Sequence, residues 1–175
     1  RNRLGCSALS LAVESHRPAV FVELLLAAGA PADPDTAGKS DLHFAAMFGA
    51  HSGVIQRLAC NGLPVDGRMN HRWNTVGKIL FSMSLPHRLI GARGLSRLAY
   101  HMKGATALML AAMTGRIREA HELLECGADL ALCNGRGKTA ADLAELFGLP
   151  LEHVSVFRGP ARAPLRGPVV RENGS

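Results

Sequence analysis

The sequence predicts an all-α solenoid of helix–turn–helix repeats joined by short hairpin tips, and two observations carry that prediction. The first is self-similarity. Gly5-Cys6-Ser7-Ala8-Leu9, Gly38-Lys39-Ser40-Asp41-Leu42, Gly104-Ala105-Thr106-Ala107-Leu108 and Gly137-Lys138-Thr139-Ala140-Ala141 are copies of one motif, with glycines spaced by 33, 66 and 33 residues. The second is composition. Of the 175 residues 47% are apolar, yet the aromatics are only Phe 6, Trp 1 and Tyr 1, which argues against sandwich or barrel cores and leaves alanine and leucine to fill the interior. The length permits burial of about 70% of the unfolded surface. With 19% charged residues, Gly 19 and Pro 9, the chain is neither wholly disordered nor collagen-like.

Each element follows from the motif. Ser7, Ser40, Thr106 and Thr139 are placed to cap helix starts, and Asp41 suits the positive end of a helix. First helices are therefore expected over residues 7–15, 41–48, 106–114 and 139–146. Their alanines allow close helix approach. Leucine-rich second helices follow, with Leu123 and Leu124 as a core pair and Leu124 expected to pack between repeats. Gly29, Gly62 and Gly127 permit the left-handed conformation that stops them.

This pattern resembles the ankyrin repeat, whose period is 33 residues and whose signature is G-x-T-P-L-H-x-A-A followed by V-V-x-L-L-L-x-x-G-A-D. The fullest copy runs from Gly104 to Asp129, with Thr106, Leu108, Ala111, Ala112, Gly115, Leu123, Leu124, Gly127, Ala128 and Asp129 in register. His43 matches the signature histidine, which the resemblance implies ties one repeat's backbone to the next. None of the copies has the signature proline. Repeats one and two carry one extra residue before the stop glycine, so an altered inter-helix turn is expected there, with Pro18 placed to fix it.

The resemblance covers residues 5–66 and 104 to about 157. After Gly62 the next motif glycine is due at about 71 or 72 and arrives at Gly104, so roughly one repeat's worth of chain intervenes. The division expected is 1–66, two repeats; 67–103, a basic insert or a degenerate repeat; 104–157, a third repeat and a C-terminal capping repeat; and 158–175, a disordered tail. Read as a repeat, the intervening stretch offers Thr75 as a displaced cap, a helix over residues 76–83 and a stop near Gly91. Its composition favours an insertion into the hairpin between repeats two and three. Residues 1–66 hold 5 Lys/Arg and 6 Asp/Glu, 67–103 hold 7 and none, 104–157 hold 4 and 7, and 158–175 hold 4 and 1. The net +6 thus comes from the insert and tail, and a nucleic-acid reading of the folded part loses its main support.

No stretch is apolar for long enough to span a bilayer. Cys6, Cys60, Cys126 and Cys133 form neither a CxxC pair nor a secreted disulfide pattern. Reduced thiols in a cytoplasmic or nuclear protein are expected. The chain begins with Arg1 rather than Met, so the missing targeting signal carries no information.

Motifs that suggest chemistry have simpler readings. Gly38-Lys39-Ser40 and Gly137-Lys138-Thr139 end like a phosphate-binding loop, but Asp33 and Leu132 stand where the first glycine must be. His121-Glu122-Leu123-Leu124-Glu125 begins like a zinc-protease helix, but Glu125 replaces the second histidine, and the segment reads as second-helix surface plus a leucine pair. Asn173-Gly174-Ser175 fits a glycosylation sequon at the chain end. No catalytic residue, cofactor site, small-molecule substrate or metal site is expected.

What remains is recognition of a protein partner. The resemblance implies contact through the hairpin tips and the exposed positions ending each first helix. Carried over, these give Lys39, Met47, Phe48, Met113, Thr114, Arg136, Lys138 and Phe147 as partner-binding residues. Met47, Phe48 and Met113 are expected to form one exposed apolar strip on the concave side. The implied function is a scaffold or adaptor. The alternatives are a targeting subunit for an enzyme such as a protein phosphatase, whose docking motif Lys78-Ile79-Leu80-Phe81 resembles, or an anionic partner bound by the basic insert.

Overall fold

The computed structural model of the chain describes residues 7–15, 17–30, 40–69, 75–91 and 94–159. Among them lie ten helices and no strand: α1 (Ala8–Glu14), α2 (Ala19–Ala27), α3 (Asp41–Phe48), α4 (Val54–Cys60), α5 (Thr75–Ile90), α6 (Leu95–His101), α7 (Ala107–Thr114), α8 (Ile117–Glu125), α9 (Ala140–Leu146) and α10 (Leu151–Arg158). Among the described residues the fold is the expected all-α solenoid of stacked helix pairs, and the four first helices are α1, α3, α7 and α9.

Capping chemistry sets where these helices begin. Thr106 Oγ1 accepts the Met109 N–H at 3.4 Å. Thr139 and Asp142 form a reciprocal capping box, with the Asp142 N–H on Thr139 Oγ1 at 3.2 Å and the Thr139 N–H on Asp142 Oδ2 at 2.9 Å. In repeat two the Ser40 N–H donates to His43 Nδ1 at 3.1 Å. Gly29, Gly62 and Gly127 sit at φ +74°, +89° and +87° where the second helices stop. Pro18 is the N-cap of α2, as Pro150 is of α10. The extra residue of repeat two is taken up in the 49–53 turn, where Gly53 is left-handed at φ +79°.

Stacking joins α1 to α3, α3 to α7 and α7 to α9, with α2, α4, α8 and α10 in a parallel row. Repeats two and three are therefore spatial neighbours although their motif glycines lie 66 residues apart. The cross-repeat hydrogen bonds keep one register. Ala50 to Glu119, Gly53 to Glu122 and Gln56 to Glu125 are each separated by 69 residues. His43 Nε2 lies 3.3 Å from the Ala105 carbonyl, the inter-repeat tie implied by the resemblance.

The hairpin between these repeats closes at its base. The Met69 N–H donates to the Ala105 carbonyl at 2.8 Å and the Gly104 N–H to the Met69 carbonyl at 3.1 Å. One repeat later the same place is a tight turn, with the Asn134 N–H on the Lys138 carbonyl at 2.9 Å. Helices α5 and α6 pack on each other and leave from the tip, outside the stacked rows. The helix expected over 76–83 extends to Ile90, with Pro86 inside it.

One continuous core runs through the stack, built from Leu9, Leu42, Ala45, Leu108, Ala111 and Leu143 on first helices and Ile55, Leu58, Leu123, Val154 and Phe157 on second helices. Leu123 is fully buried, whereas Leu124, expected to pack between repeats, is only partly buried. The turn of α8 aligns Leu123 with Glu119 and Ala120, the positions facing inward, and leaves Leu124 at their margin.

Candidate functional site

Met47 and Phe48 occupy the last turn of α3. Both are half-buried, and the Phe48 ring stacks on Phe44 one turn back, with centroids 6.1 Å apart and planes 22° apart. Thr114, at the equivalent place on α7, is half-buried, and its hydroxyl donates to the Leu110 carbonyl at 2.8 Å. Met113 is buried, at 5% exposure. The expected exposed strip of Met47, Phe48 and Met113 is thus corrected. Helix α7 stands between α3 and α9, and every residue from Ala107 to Met113 is buried. A helix apolar all round is enclosed all round. Met69 and Met102, which flank the 70–101 segment, belong to the same core.

The C-terminal end of the surface is engaged by α6. Phe147 is half-buried, with the His101 ring edge-on at a 6.1 Å centroid distance and the Arg97 guanidinium 4.9 Å from its centroid. Arg97 also donates to the Leu146 carbonyl. The tip residues Arg136 and Lys138 are exposed. Their backbone N–H groups both donate to Asn134 Oδ1, at 2.9 and 3.0 Å, so one buried asparagine shapes the turn. Its Nδ2 in turn donates to the His101 carbonyl at 3.0 Å. The Arg136 guanidinium lies 4.1 Å from the Tyr100 ring centroid, a cation–π contact. Lys39 lies outside the described residues.

Sequence reasoning missed these α6 partners, because nothing in residues 95–101 belongs to the repeat pattern. It also read the polar residues of 121–125 as surface, which holds for His121 and Glu125 and not for Glu122. Glu119, Glu122 and Glu125 recur every third residue along one face of α8, and that face meets repeat two. Glu119 and Glu122 are buried, while His121 is exposed. The Ala50 N–H donates to Glu119 Oε1 at 3.2 Å and the Gly53 N–H to Glu122 Oε2 at 3.2 Å, so these carboxylates clasp the turn between α3 and α4. Burial works to raise the Glu119 pKa, but the Arg118 guanidinium, 2.6 Å away, and the backbone N–H groups it accepts hold it below the ordinary value of 4.5. Asp142 is lowered too, chiefly by the Thr139 backbone N–H. Burial, and secondarily the neighbouring Cys60, raise the Cys126 thiol. Cys60, Cys126 and Cys133 are free thiols. Among the described residues no group of three His, Cys, Asp or Glu side chains is gathered closely enough to hold a metal. No helix among them is long and apolar enough to cross a membrane.

What this geometry offers, among the described residues, is side chains gathered at the ends of α3, α7 and α9 and at the 134–138 tip. Residues 103–135 match the family model described as Ankyrin repeat. The matched unit runs from one tip to the next, and its ends meet: the Gly135 N–H donates to the Lys103 carbonyl at 2.8 Å. Ankyrin repeats are in general protein–protein interaction modules and non-catalytic. No curated protein matches the chain.

Proposed function

We propose that this ankyrin-repeat solenoid is a non-catalytic scaffold or adaptor that binds a protein partner across Met47, Phe48, Thr114, Arg136, Lys138 and Phe147. The observation that carries the reading is the half-exposed Met47 and Phe48 at the end of α3 and Phe147 after α9, together with the exposed tip cations Arg136 and Lys138. An interface with apolar centre and charged rim has this composition. Lys39, by its place in the motif, extends the rim toward repeat two, and Met113 serves as the floor. A cytoplasmic or nuclear location belongs to the same proposal and is supported by the free thiols.

The same proposal treats residues 67–103 as an insert in the hairpin, supported by the Met69 and Ala105 backbone pair. Helix α6 then occupies the Phe147 end of the partner surface within the chain. Affinity capture compares the full chain with a variant in which an Asn-Gly turn replaces residues 70–103. Uncovering Phe147 is expected to strengthen capture, and adding Phe48→Ser and Lys138→Glu to abolish it. Capture that vanishes with the insert and ignores Phe48 and Lys138 would move the contact to α5 and α6, including the Lys78-Ile79-Leu80-Phe81 segment inside α5.

A further inference from the structure

The described parts of the α5–α6 hairpin tip, 89–91 and 94–95, carry exposed aliphatic side chains. Leu89 and Ile90 close α5 at 77% and 80% exposure, and Leu95 opens α6 at 69%. Met83 and Leu85 on α5 are also exposed. Large aliphatic side chains grouped so openly on a monomer mark a contact surface.

Three further observations say what contact. The segment 67–103 holds seven Lys/Arg and no Asp/Glu, against a net −4 for the repeats on either side of it, so the hairpin suits a negatively charged counterpart. Its base is fixed: Ala99, His101 and Met102 are buried, the His101 carbonyl accepts from Asn134, and Arg97 is tied to the end of α9. The tip is thus the free end of an anchored element. Finally, α5 has 16 residues, shorter than a bilayer crossing requires. Exposed aliphatic groups in a segment of net positive charge, on an element too short to span, match the chemistry of a bilayer interface. Phosphates of a nucleic-acid duplex would reward the cations and give the leucines nothing.

We infer that the α5–α6 hairpin docks the protein on an anionic bilayer surface, seating Leu89, Ile90 and Leu95 at the boundary between headgroups and acyl chains while the basic segment supplies the attraction. This goes beyond the protein-recognition reading and does not depend on it.

Co-sedimentation of the full chain with phosphatidylcholine vesicles, with and without about one third phosphatidylserine, tests it. The protein is expected to pellet with the anionic vesicles and not with the neutral ones. The combined variant Leu89→Ser, Ile90→Ser, Leu95→Ser is expected to keep the melting temperature and lower the partition coefficient by about tenfold or more at physiological salt. Failure of the full chain to pellet with anionic vesicles overturns the inference. So does an unchanged partition for the triple variant together with equal affinity for duplex RNA, which would make the segment a general polyanion binder. A melting temperature lowered by several degrees in the triple variant would identify the tip as packing and overturn it as well.

Discussion

At the scale of single residues, neighbouring positions on α8 differ in what they hold. Leu123 is fully buried and Leu124 is partly buried against the same core. Leu123→Ala is expected to cost about 2–5 kcal/mol in urea unfolding, because the stack around it closes the cavity only in part. Leu124→Ala is expected to cost clearly less. Equal losses would place both between repeats. Glu119 makes a pH-dependent contribution. Its folded pKa lies below its ordinary value, so the stabilisation is present at neutral pH and is lost as pH falls from about 4.5 through the lowered folded value. Glu119→Gln is expected to cost about 1–3 kcal/mol at pH 7 and to flatten the acid side of the profile, since the amide no longer pairs as an anion with Arg118. A variant whose melting temperature falls with acid as steeply as the parent's would assign that slope to other carboxylates, Asp142 among them.

At the scale of elements, the hairpin tips behave as units because their backbones touch. Gly104 sits at φ +67°, and a Cβ there would come within 2.9 Å of the Gly135 backbone nitrogen. Gly104→Ala therefore adds a collision to the backbone strain and is expected to cost about 2–4 kcal/mol. Gly127→Ala has the strain alone, at φ +87° with nothing within 4 Å, and is expected to cost about 1 kcal/mol. Denaturant midpoints of the two variants measure the difference. Equal midpoints would mean that the tips do not press on each other.

At the scale of the whole molecule, the solenoid is continuous across the place where the chain leaves it. With an Asn-Gly turn replacing residues 70–103, cooperative unfolding is expected to persist, because Met69 and Ala105 already face each other and Asn, Gly and the left-handed Gly104 would join them as a three-residue hairpin loop. A loss of about 2–4 kcal/mol is expected alongside, since buried Met102 and the α6 contacts to Phe147 go with the segment. Urea unfolding followed by circular dichroism checks both. A broad, non-cooperative transition would make the segment part of the folding unit.

Helix starts, stops and the period of 33 were legible in the sequence because each depends on local chemistry: a hydroxyl that caps, a glycine that tolerates positive φ, an alanine that admits a neighbour. Burial was not legible, because it depends on what lies across from a position rather than on the position itself. Phe21, Val54 and Glu119 each stand eight residues before a stop glycine. Phe21 is 51% exposed, Val54 is 1% exposed, and Glu119 is a buried carboxylate held by the turn of the preceding repeat. Met113 looked like part of an exposed strip for the same reason, and the enclosed position of α7 removed it from the surface. The sequence by itself determined the repeat and the charge of the segment that interrupts it. Only the tertiary structure decided that repeats two and three stack across that segment and that α6 comes to rest on Phe147, because both depend on contacts between residues dozens of positions apart, which no local pattern encodes.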